Sequence, residues 1–196
     1  MKTIKGQVVA LNIGSKNIEL TKQSCQSLEA ELDGFLGDRH QSPQRACWKG
    51  DKQAEGVVRR NERQWSAIAE EELLKIEKTM DLKEKLTAAS LGVNICFKGI
   101  PDLSLLAKGT ILKFPSGAEL QVEEYNPPCI EMGQKVASSY STNSGKAIAE
   151  SDFTNAAAFC RGVVGVVEVS GKISLDDDVI VIPYKPPVWI SRLLKD

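Results

Sequence analysis

The sequence TILKFPSGAELQVEEY, residues 110–125, gives the clearest indication of the fold class of the chain. Two short runs of apolar or alternating residues, 110–114 and 118–125, flank the sequence Pro115-Ser116-Gly117. Proline and glycine at such a point are typical of a tight turn, and strands joined by a short turn pair in antiparallel fashion. This stretch therefore predicts a β-hairpin.

Other strand-like runs lie on both sides of the hairpin. They are residues 4–13, 93–98, 163–169 and 178–182, and the last two flank a turn at Ser170-Gly171-Lys172. Helical patterns are fewer: Leu73, Ile76 and Met80 predict a helix over about 70–79, and a second is expected at about 151–160. Many short strands and few helices favour a mainly β fold, a mostly antiparallel β-barrel with helical insertions.

Length and charge set the domain organisation and exclude some partners. The chain has 196 residues, which favours a single β-barrel domain over residues 4–183, followed by a C-terminal tail or short docking helix over 184–196. Lys and Arg number 25 and Asp and Glu 26, so we expect no general affinity for nucleic acid. Because no run of about 18 apolar residues occurs, we expect no membrane association and a cytoplasmic location.

The cysteines do not form a recognisable zinc or disulfide pattern. Five cysteines are scattered along the chain, at Cys25, Cys47, Cys96, Cys129 and Cys160. There is no C-x-x-C pair and only one histidine, His40, which argues against a structural zinc site. A Ser-His-Asp triad would have to use His40, and neither a G-x-S-x-G elbow nor a phosphate-binding glycine loop is present.

Residues 22–62 are polar, and we expect a long irregular segment there. Between Arg39 and Asn61 this segment holds six basic and two acidic side chains, a local net charge of +4 in a nearly neutral chain. The basic ones are Arg39, Arg45, Lys49, Lys52, Arg59 and Arg60. Two interpretations stay open: a solvated loop, or a lid that binds an anion.

Cys129 is the cysteine whose local sequence favours reactivity. Pro127 and Pro128 stiffen the backbone just before it, and proline is common at a helix start. A cysteine at a helix N-terminus ionises more readily than a free thiol, and the thiolate is both a nucleophile and a ligand for soft metals. A buried structural thiol is the alternative at this point. Cys96 and Cys160 lie in apolar surroundings that favour the core.

Several short motifs follow one another in an order that matches a known family. They are Gly37-Asp38-Arg39-His40, Arg63-Gln64 before AIAEEEL, Leu91-Gly92-Val93-Asn94-Ile95 with Gly99, Lys108-Gly109-Thr110, Pro128-Cys129, and Arg161-Gly162-Val163 before a D-x-V strand. Together they resemble the MOSC domains, named for the C-terminal domain of molybdenum cofactor sulfurases. The resemblance runs from about residue 4 to residue 183.

The resemblance implies a MOSC-type β-barrel and an association with the molybdenum cofactor, molybdopterin. Cys129 matches the cysteine that is proposed in the family as sulfur carrier or molybdenum ligand, so it is the expected catalytic and metal-binding residue. The expected cofactor-binding residues are Asp38, Arg39, His40, Arg63, Asn94 and Arg161. The cofactor carries a phosphate, and forked guanidinium donors suit a phosphate; Arg39, Arg59, Arg60, Arg63 and Arg161 supply them.

Three functions fit the resemblance. The first is a protein that holds the molybdenum cofactor, or carries sulfur as a Cys129 persulfide. The second is a small molybdenum reductase of N-hydroxylated compounds that uses a separate electron donor, and the third is an inactive barrel kept for interactions. A redox or sulfur-donor protein is the expected partner. Val93 stands where the family has a glutamate, so a carboxylate is absent there. Pyridoxal phosphate, which belongs to a fused domain of the sulfurases, is not expected.

Overall fold

In the computed structural model, residues 4–15 and 20–193 are described. The strands are β1 (Ile4–Ile13), β2 (Gln23–Cys25), β3 (Ser27–Glu31), β4 (Gly34–Phe35), β5 (Gln44–Ala46), β6 (Val58–Arg60), β7 (Trp65–Ala69), β8 (Ile95–Lys98), β9 (Ile111–Lys113), β10 (Glu119–Tyr125), β11 (Val163–Val169), β12 (Gly171–Ser174) and β13 (Asp178–Ile182). The α-helices are α1 (Glu70–Thr79), α2 (Ile130–Ser139), α3 (Glu150–Ala156) and α4 (Val188–Leu193), and a 3-10 turn spans Leu103–Leu105.

Seven of these strands close into a barrel. Their order around the ring is β1, β13, β9, β10, β11, β7 and β8, and β8 pairs with β1 again. The antiparallel pairing of Ile4 with Val181 belongs to the β1–β13 ladder that completes the ring. β7 and β8 run parallel, and the other neighbours in the ring are antiparallel. The predicted fold class, a mostly antiparallel β-barrel with helical insertions, is confirmed.

Apolar side chains of the barrel strands fill its interior, because alternate residues of a strand point to the same face. Val8, Leu112, Leu120 and Val181 are among the members of this core that are essentially without solvent exposure. Trp65 is also buried there, and its indole Nε1 donates a hydrogen bond to the Val166 carbonyl at 2.9 Å. The barrel interior is therefore packed with side chains.

Helices α1, α2 and α3 pack against the outside of the barrel through a second apolar cluster. The predicted helix over 70–79 is present as α1, and its apolar stripe of Leu73, Ile76 and Met80 is buried in that cluster. The amide of Ala69 donates to the Glu72 carboxylate at 3.1 Å, which satisfies one of the backbone donors at the start of α1. α2 begins directly after Cys129, as Pro127 and Pro128 predict.

The segment over 22–62 differs from the expectation of irregular structure. It contains five short strands, of which β3 pairs with β4 and with β12, while β5 and β6 form a separate hairpin. β12 begins at Gly171, within the turn predicted at 170–172, so the chain leaves the barrel there to complete a small second sheet. Pairing partners this distant in sequence leave no local pattern to detect.

The end of the described chain holds the short helix α4, within the region where a tail or docking helix is expected. Trp189 in α4 is 61% exposed. None of the helices in the described ranges combines the length and apolar character needed to cross a membrane.

Candidate functional site

Cys129 lies at the N-terminus of α2, four residues after the end of β10. It is the N-cap residue with extended backbone angles, φ −113° and ψ 158°, and its side chain makes no capping hydrogen bond. Its thiol is exposed, whereas Cys47, Cys96 and Cys160 are buried. The first amides of α2 thus point toward the region of an exposed sulfur, an arrangement that favours negative charge.

Arg161 reaches the same region from the segment between α3 and β11. Gly162 fixes its position, because φ is +89° there and a Cβ would lie 1.9 Å from the Ala67 carbonyl oxygen, so only glycine fits. Arg161 Nη2 donates to the Leu91 carbonyl at 2.7 Å. Burial lowers the pKa of Arg161 to about 10, and the charge of Cys129 opposes this effect. Arg161 and Cys129 therefore lie within electrostatic reach of each other.

The second terminal nitrogen of Arg161 is the clearest chemical signal in the site. Arg161 is only 7% exposed, yet Nη1 has no hydrogen-bond partner among the described residues. Leaving a buried charged donor without an acceptor costs roughly 1–3 kcal/mol or more, so native structures rarely do so without a reason. An anionic ligand beside Cys129 would supply the missing acceptor.

Arg63 joins this group through Asn126. Its Nη2 donates to Asn126 Oδ1 at 2.7 Å, and the amide of Asn126 donates to the Gly162 carbonyl at 3.0 Å. Burial lowers the pKa of Arg63, an effect that the charge of Glu124 opposes. The Arg63 guanidinium also lies 5.6 Å from the ring centroid of Trp48, which is half exposed. Arg63 is thus linked to the Arg161-Gly162 segment through Asn126, which lies three residues before Cys129.

Asp38 is the centre of a buried network beside this site. Its carboxylate accepts hydrogen bonds from the Gly14 amide at 2.8 Å, from Lys22 Nζ at 2.9 Å and from Asn94 Nδ2 at 2.9 Å. The amide of His40 donates to the other oxygen at 2.9 Å. Burial alone would raise the pKa of Asp38, but the His40 contact and the Lys22 charge outweigh it and hold that pKa well below its usual range. Asp38 thereby fixes the loop that carries Arg39 and His40.

His40 and Arg39 extend from this network toward the surface. The His40 ring is 41% exposed and its Nδ1 lies 3.1 Å from Asp38 Oδ1; burial lowers the pKa of His40, and Asp38 opposes that shift. Arg39 Nη2 donates to the carbonyls of Leu20 at 3.1 Å and Thr21 at 3.3 Å. A Cβ on Gly92 would lie 3.7 Å from the same nitrogen, which places Arg39 beside the Leu91-Gly92 turn that Arg161 also contacts.

Asn61 connects the Asp38 network to Arg63. Its Nδ2 donates to the His40 carbonyl at 2.9 Å, and its Oδ1 accepts from the Arg63 amide at 3.0 Å. The structure therefore brings the sequence-predicted residues into one continuous strip. That strip contains Asp38, Arg39, His40, Arg63, Asn94, Cys129 and Arg161, and we call it the Cys129 strip.

Arg59 and Arg60 are engaged elsewhere. Arg59 lies 3.5 Å from both Asp51 and Glu62, and Arg60 Nη2 lies 2.8 Å from Glu123. Arg45 is likewise paired with Asp51 and Glu62. Asp51, within residues 39–61, and Glu62 and Glu123, outside them, thus balance part of the local charge of +4. This pairing weakens the interpretation of residues 39–61 as an anion-binding lid.

Lys22, Asn61 and Asn126 also belong to the hydrogen-bond network of the site, and the sequence did not predict them. Lys22 is fully buried against Asp38, and burial lowers its pKa to about 8. Nothing in the local sequence distinguishes it from a surface lysine. Asn126 had a detectable signal, because it stands between the end of a predicted strand and the Pro127-Pro128-Cys129 sequence.

The family model of the MOSC domain matches residues 54–180, well over half of the chain. The chain belongs to the MOSC domain family.

Individual relatives support this assignment. The chain is 31% identical over 188 residues, 95% of each protein, to YuaD of Bacillus subtilis (strain 168), whose name makes it a candidate metal-sulfur cluster biosynthesis protein. The crystal structure of YuaD from Bacillus subtilis superposes with a TM-score of 0.86 at 28% identity, covering 94% of this chain and 99% of that one. YiiM from Geobacillus stearothermophilus shares the fold at 16% identity, with a TM-score of 0.62 over 90% of this chain and 75% of its own.

Proposed function

We propose that this protein holds the pterin–molybdenum cofactor at the Cys129 strip, with the Cys129 sulfur as the protein ligand of the metal. The observation that carries the proposal is the buried Arg161 Nη1, which has no hydrogen-bond partner in the described chain and lies within electrostatic reach of the exposed Cys129. A site with a buried cationic donor and a free thiol suits a ligand that has both anionic groups and a soft metal.

Each part of the strip has a task in this proposal. Arg161 and the first amides of α2 would bind anionic oxygens of the cofactor, and Arg63 would add a second guanidinium. Asp38 and Asn94 have no exposed surface, and their polar atoms bond to neighbouring elements, so they position Arg39 and His40. When bound, the cofactor would supply redox chemistry that none of these side chains provides by itself.

A second candidate function is sulfur carriage by Cys129 alone. Its support is the exposure of the thiol and the name of YuaD, which refers to metal-sulfur cluster biosynthesis. In this reaction the Cys129 thiolate attacks the outer sulfur of a donor protein's persulfide. The S–S bond of the donor breaks, the donor leaves as a thiolate, and Cys129 becomes a persulfide, with no net oxidation. A sulfur-donor protein in the cytoplasm would be the partner.

The test is to isolate the full chain from a host that makes the cofactor and to measure molybdenum, pterin and cyanide-labile sulfur per chain. The proposal predicts bound molybdenum and pterin in the wild type and a lower molybdenum content in Cys129→Ser. Cys25→Ser is the matched control, because Cys25 is only partly buried and lies in β2, where it pairs with Leu11 of β1.

The outcomes separate the candidate functions. Cyanide-labile sulfur on Cys129 without molybdenum supports the sulfur carrier and contradicts the cofactor proposal. Molybdenum together with turnover of a hydroxylamino compound, given an electron donor, identifies a reductase. If the protein contains none of these groups, both proposals fail and an interaction barrel is what remains.

A further inference from the structure

Phe159 combines a backbone conformation and an exposure that are both unfavourable for a large apolar residue. Its φ is 59°, in the left-handed region, which is uncommon for residues other than glycine and a genuine outlier for a bulky one. Its side chain is 72% exposed. Such conformations persist where the surrounding structure enforces them, and they concentrate at ligand sites.

Tyr125 holds Phe159 in this conformation. Its hydroxyl accepts a hydrogen bond from the Phe159 amide at 2.8 Å and donates one to the Ala157 carbonyl at 3.2 Å. The two rings stack with centroids 5.9 Å apart and an angle of 24° between their planes. The aromatic pair is therefore preorganised, with one ring presented to solvent.

The aromatic pair adjoins the Cys129 strip through both of its residues. Tyr125 ends β10 and is followed by Asn126, which bonds to Arg63, while Phe159 precedes Arg161 by two positions. After burial, the largest cause of the lowered Arg161 pKa, the charges of Cys129 and Tyr125 also act on that guanidinium. The stacked rings and the Arg161 donor are thus parts of one neighbourhood.

We infer that Tyr125 and Phe159 form a ring-binding subsite, which takes the planar part of an anionic molecule whose charged group is held by Arg161. An aromatic face stacks on a planar ring of almost any chemistry, and a buried guanidinium without an acceptor selects a carboxylate or phosphate. The inference builds on the proposed site. The shared chemistry is a planar anion, and its source is either the cofactor's pterin phosphate or a planar anionic substrate.

A pair of matched probes tests this subsite. 2-Naphthoate is a planar aromatic carboxylate, and decahydro-2-naphthoate carries the same charge on a saturated, non-planar skeleton. Saturation-transfer NMR on the full chain, without and with bound cofactor, measures the affinity of each. We expect 2-naphthoate to bind the cofactor-free protein about tenfold more tightly than the saturated acid. Loss of this binding on cofactor loading identifies the cofactor as the occupant, and retained binding identifies a substrate.

Variants assign the effect to Phe159. Phe159→Gly removes the ring and places a residue that tolerates the left-handed conformation, so the variant folds, as thermal unfolding will verify. We expect it to lose about tenfold in affinity for 2-naphthoate. Phe159→Leu, which keeps an apolar side chain without an aromatic face, is expected to show a similar loss. Trp189→Ala removes an exposed ring from α4 and should bind as the wild type does.

The inference is overturned if the two acids bind equally well, or if Phe159→Gly binds 2-naphthoate as tightly as the wild type. It is also overturned if Trp189→Ala loses as much affinity, since the effect would then be nonspecific. The cofactor proposal can fail separately. A protein that retains no molybdenum but still distinguishes the two acids would support the ring-binding subsite and contradict the cofactor proposal.

Discussion

Asn94 donates a hydrogen bond to Asp38 at 2.9 Å between Nδ2 and Oδ2, although 56 positions separate them in the sequence. Asn94 also accepts from the amide and the hydroxyl of Ser66 and donates to the Asn12 carbonyl. This one amide therefore joins the loop that carries Arg39 and His40 to the barrel strands. The geometry of the Cys129 strip depends on it.

Asn94→Ala should destabilise the fold by about 2–3 kcal/mol, because it leaves several buried polar groups without partners. Urea unfolding measures the loss. Asn155→Ala, at an exposed position in α3, is the control and should stay within about 0.5 kcal/mol of the wild type. An Asn94 variant as stable as this control would contradict the role of the network.

Stability should fall in acid through Asp38. In the folded state the contacts from His40 and Lys22 outweigh burial and keep the Asp38 pKa far below 3.8, whereas the unfolded chain takes up a proton near that value. The stabilising contribution is therefore present above about pH 4 and is lost as the pH falls further. Burial also lowers the pKa of His40 from 6.5, and the nearby charge of Arg39 adds to this effect. Because the unfolded chain then takes up a proton on His40 more readily than the folded protein does, stability also falls as the pH drops below about 6.5.

Unfolding midpoints in urea at about pH 6 and pH 3 measure this dependence. The wild type should lose more stability over this range than the double variant Asp38→Asn, Lys22→Met, which removes both members of the buried ion pair. Equal losses in the two proteins would show that Asp38 titrates normally in the fold.

Iodoacetamide should modify Cys129 first among the five cysteines. Cys129 is exposed, whereas burial raises the pKa of Cys96 to about 12 and also raises the pKa values of Cys25 and Cys160. Peptide mapping after brief labelling across a pH series identifies the modified sites. Labelling of Cys96 as fast as Cys129 would remove the chemical basis for a reactive thiol at the start of α2.

Arg161 and Arg59 should differ sharply in their effect on cofactor retention. Arg161→Lys keeps a charge but loses the planar fork, and we expect about tenfold weaker retention of molybdenum. Arg59→Gln should leave retention unchanged, because Arg59 is engaged by Asp51 and Glu62. Molybdenum per chain after dialysis is the measurement, and equal losses in both variants would contradict the assignment of the anion-binding donor to Arg161.

The parts of the molecule that follow from local sequence were predictable. The hairpin of β9 and β10, the helix α1 and the start of α2 each rest on nearby residues: a Pro-Ser-Gly turn, an apolar stripe and a pair of prolines. The motif order also selected residues that the structure places in the Cys129 strip, and their role in binding stays a prediction. These features depend on turn chemistry and periodicity, which act over a few positions.

Long-range partners were not predictable. Lys172 in β12 pairs with Glu29 in β3, and neither strand shows its partner in its own pattern. Residues 39–61 appear cationic in the sequence because Glu62 and Glu123 lie outside them. In the structure these two acids neutralise Arg45, Arg59 and Arg60. Whether a charge is free to bind a ligand depends on which side chains the fold brings together, and only the structure shows this.

In the proposed function, the Cys129 sulfur is the protein ligand of a molybdenum centre. X-ray absorption at the molybdenum edge, on wild-type protein and on Cys129→Ser with Cys25→Ser as control, detects this ligand. We expect fewer sulfur neighbours around the molybdenum that Cys129→Ser retains than around that of the wild type, and no change in Cys25→Ser. Identical sulfur coordination in all three proteins, or a wild type without molybdenum, would contradict the claim.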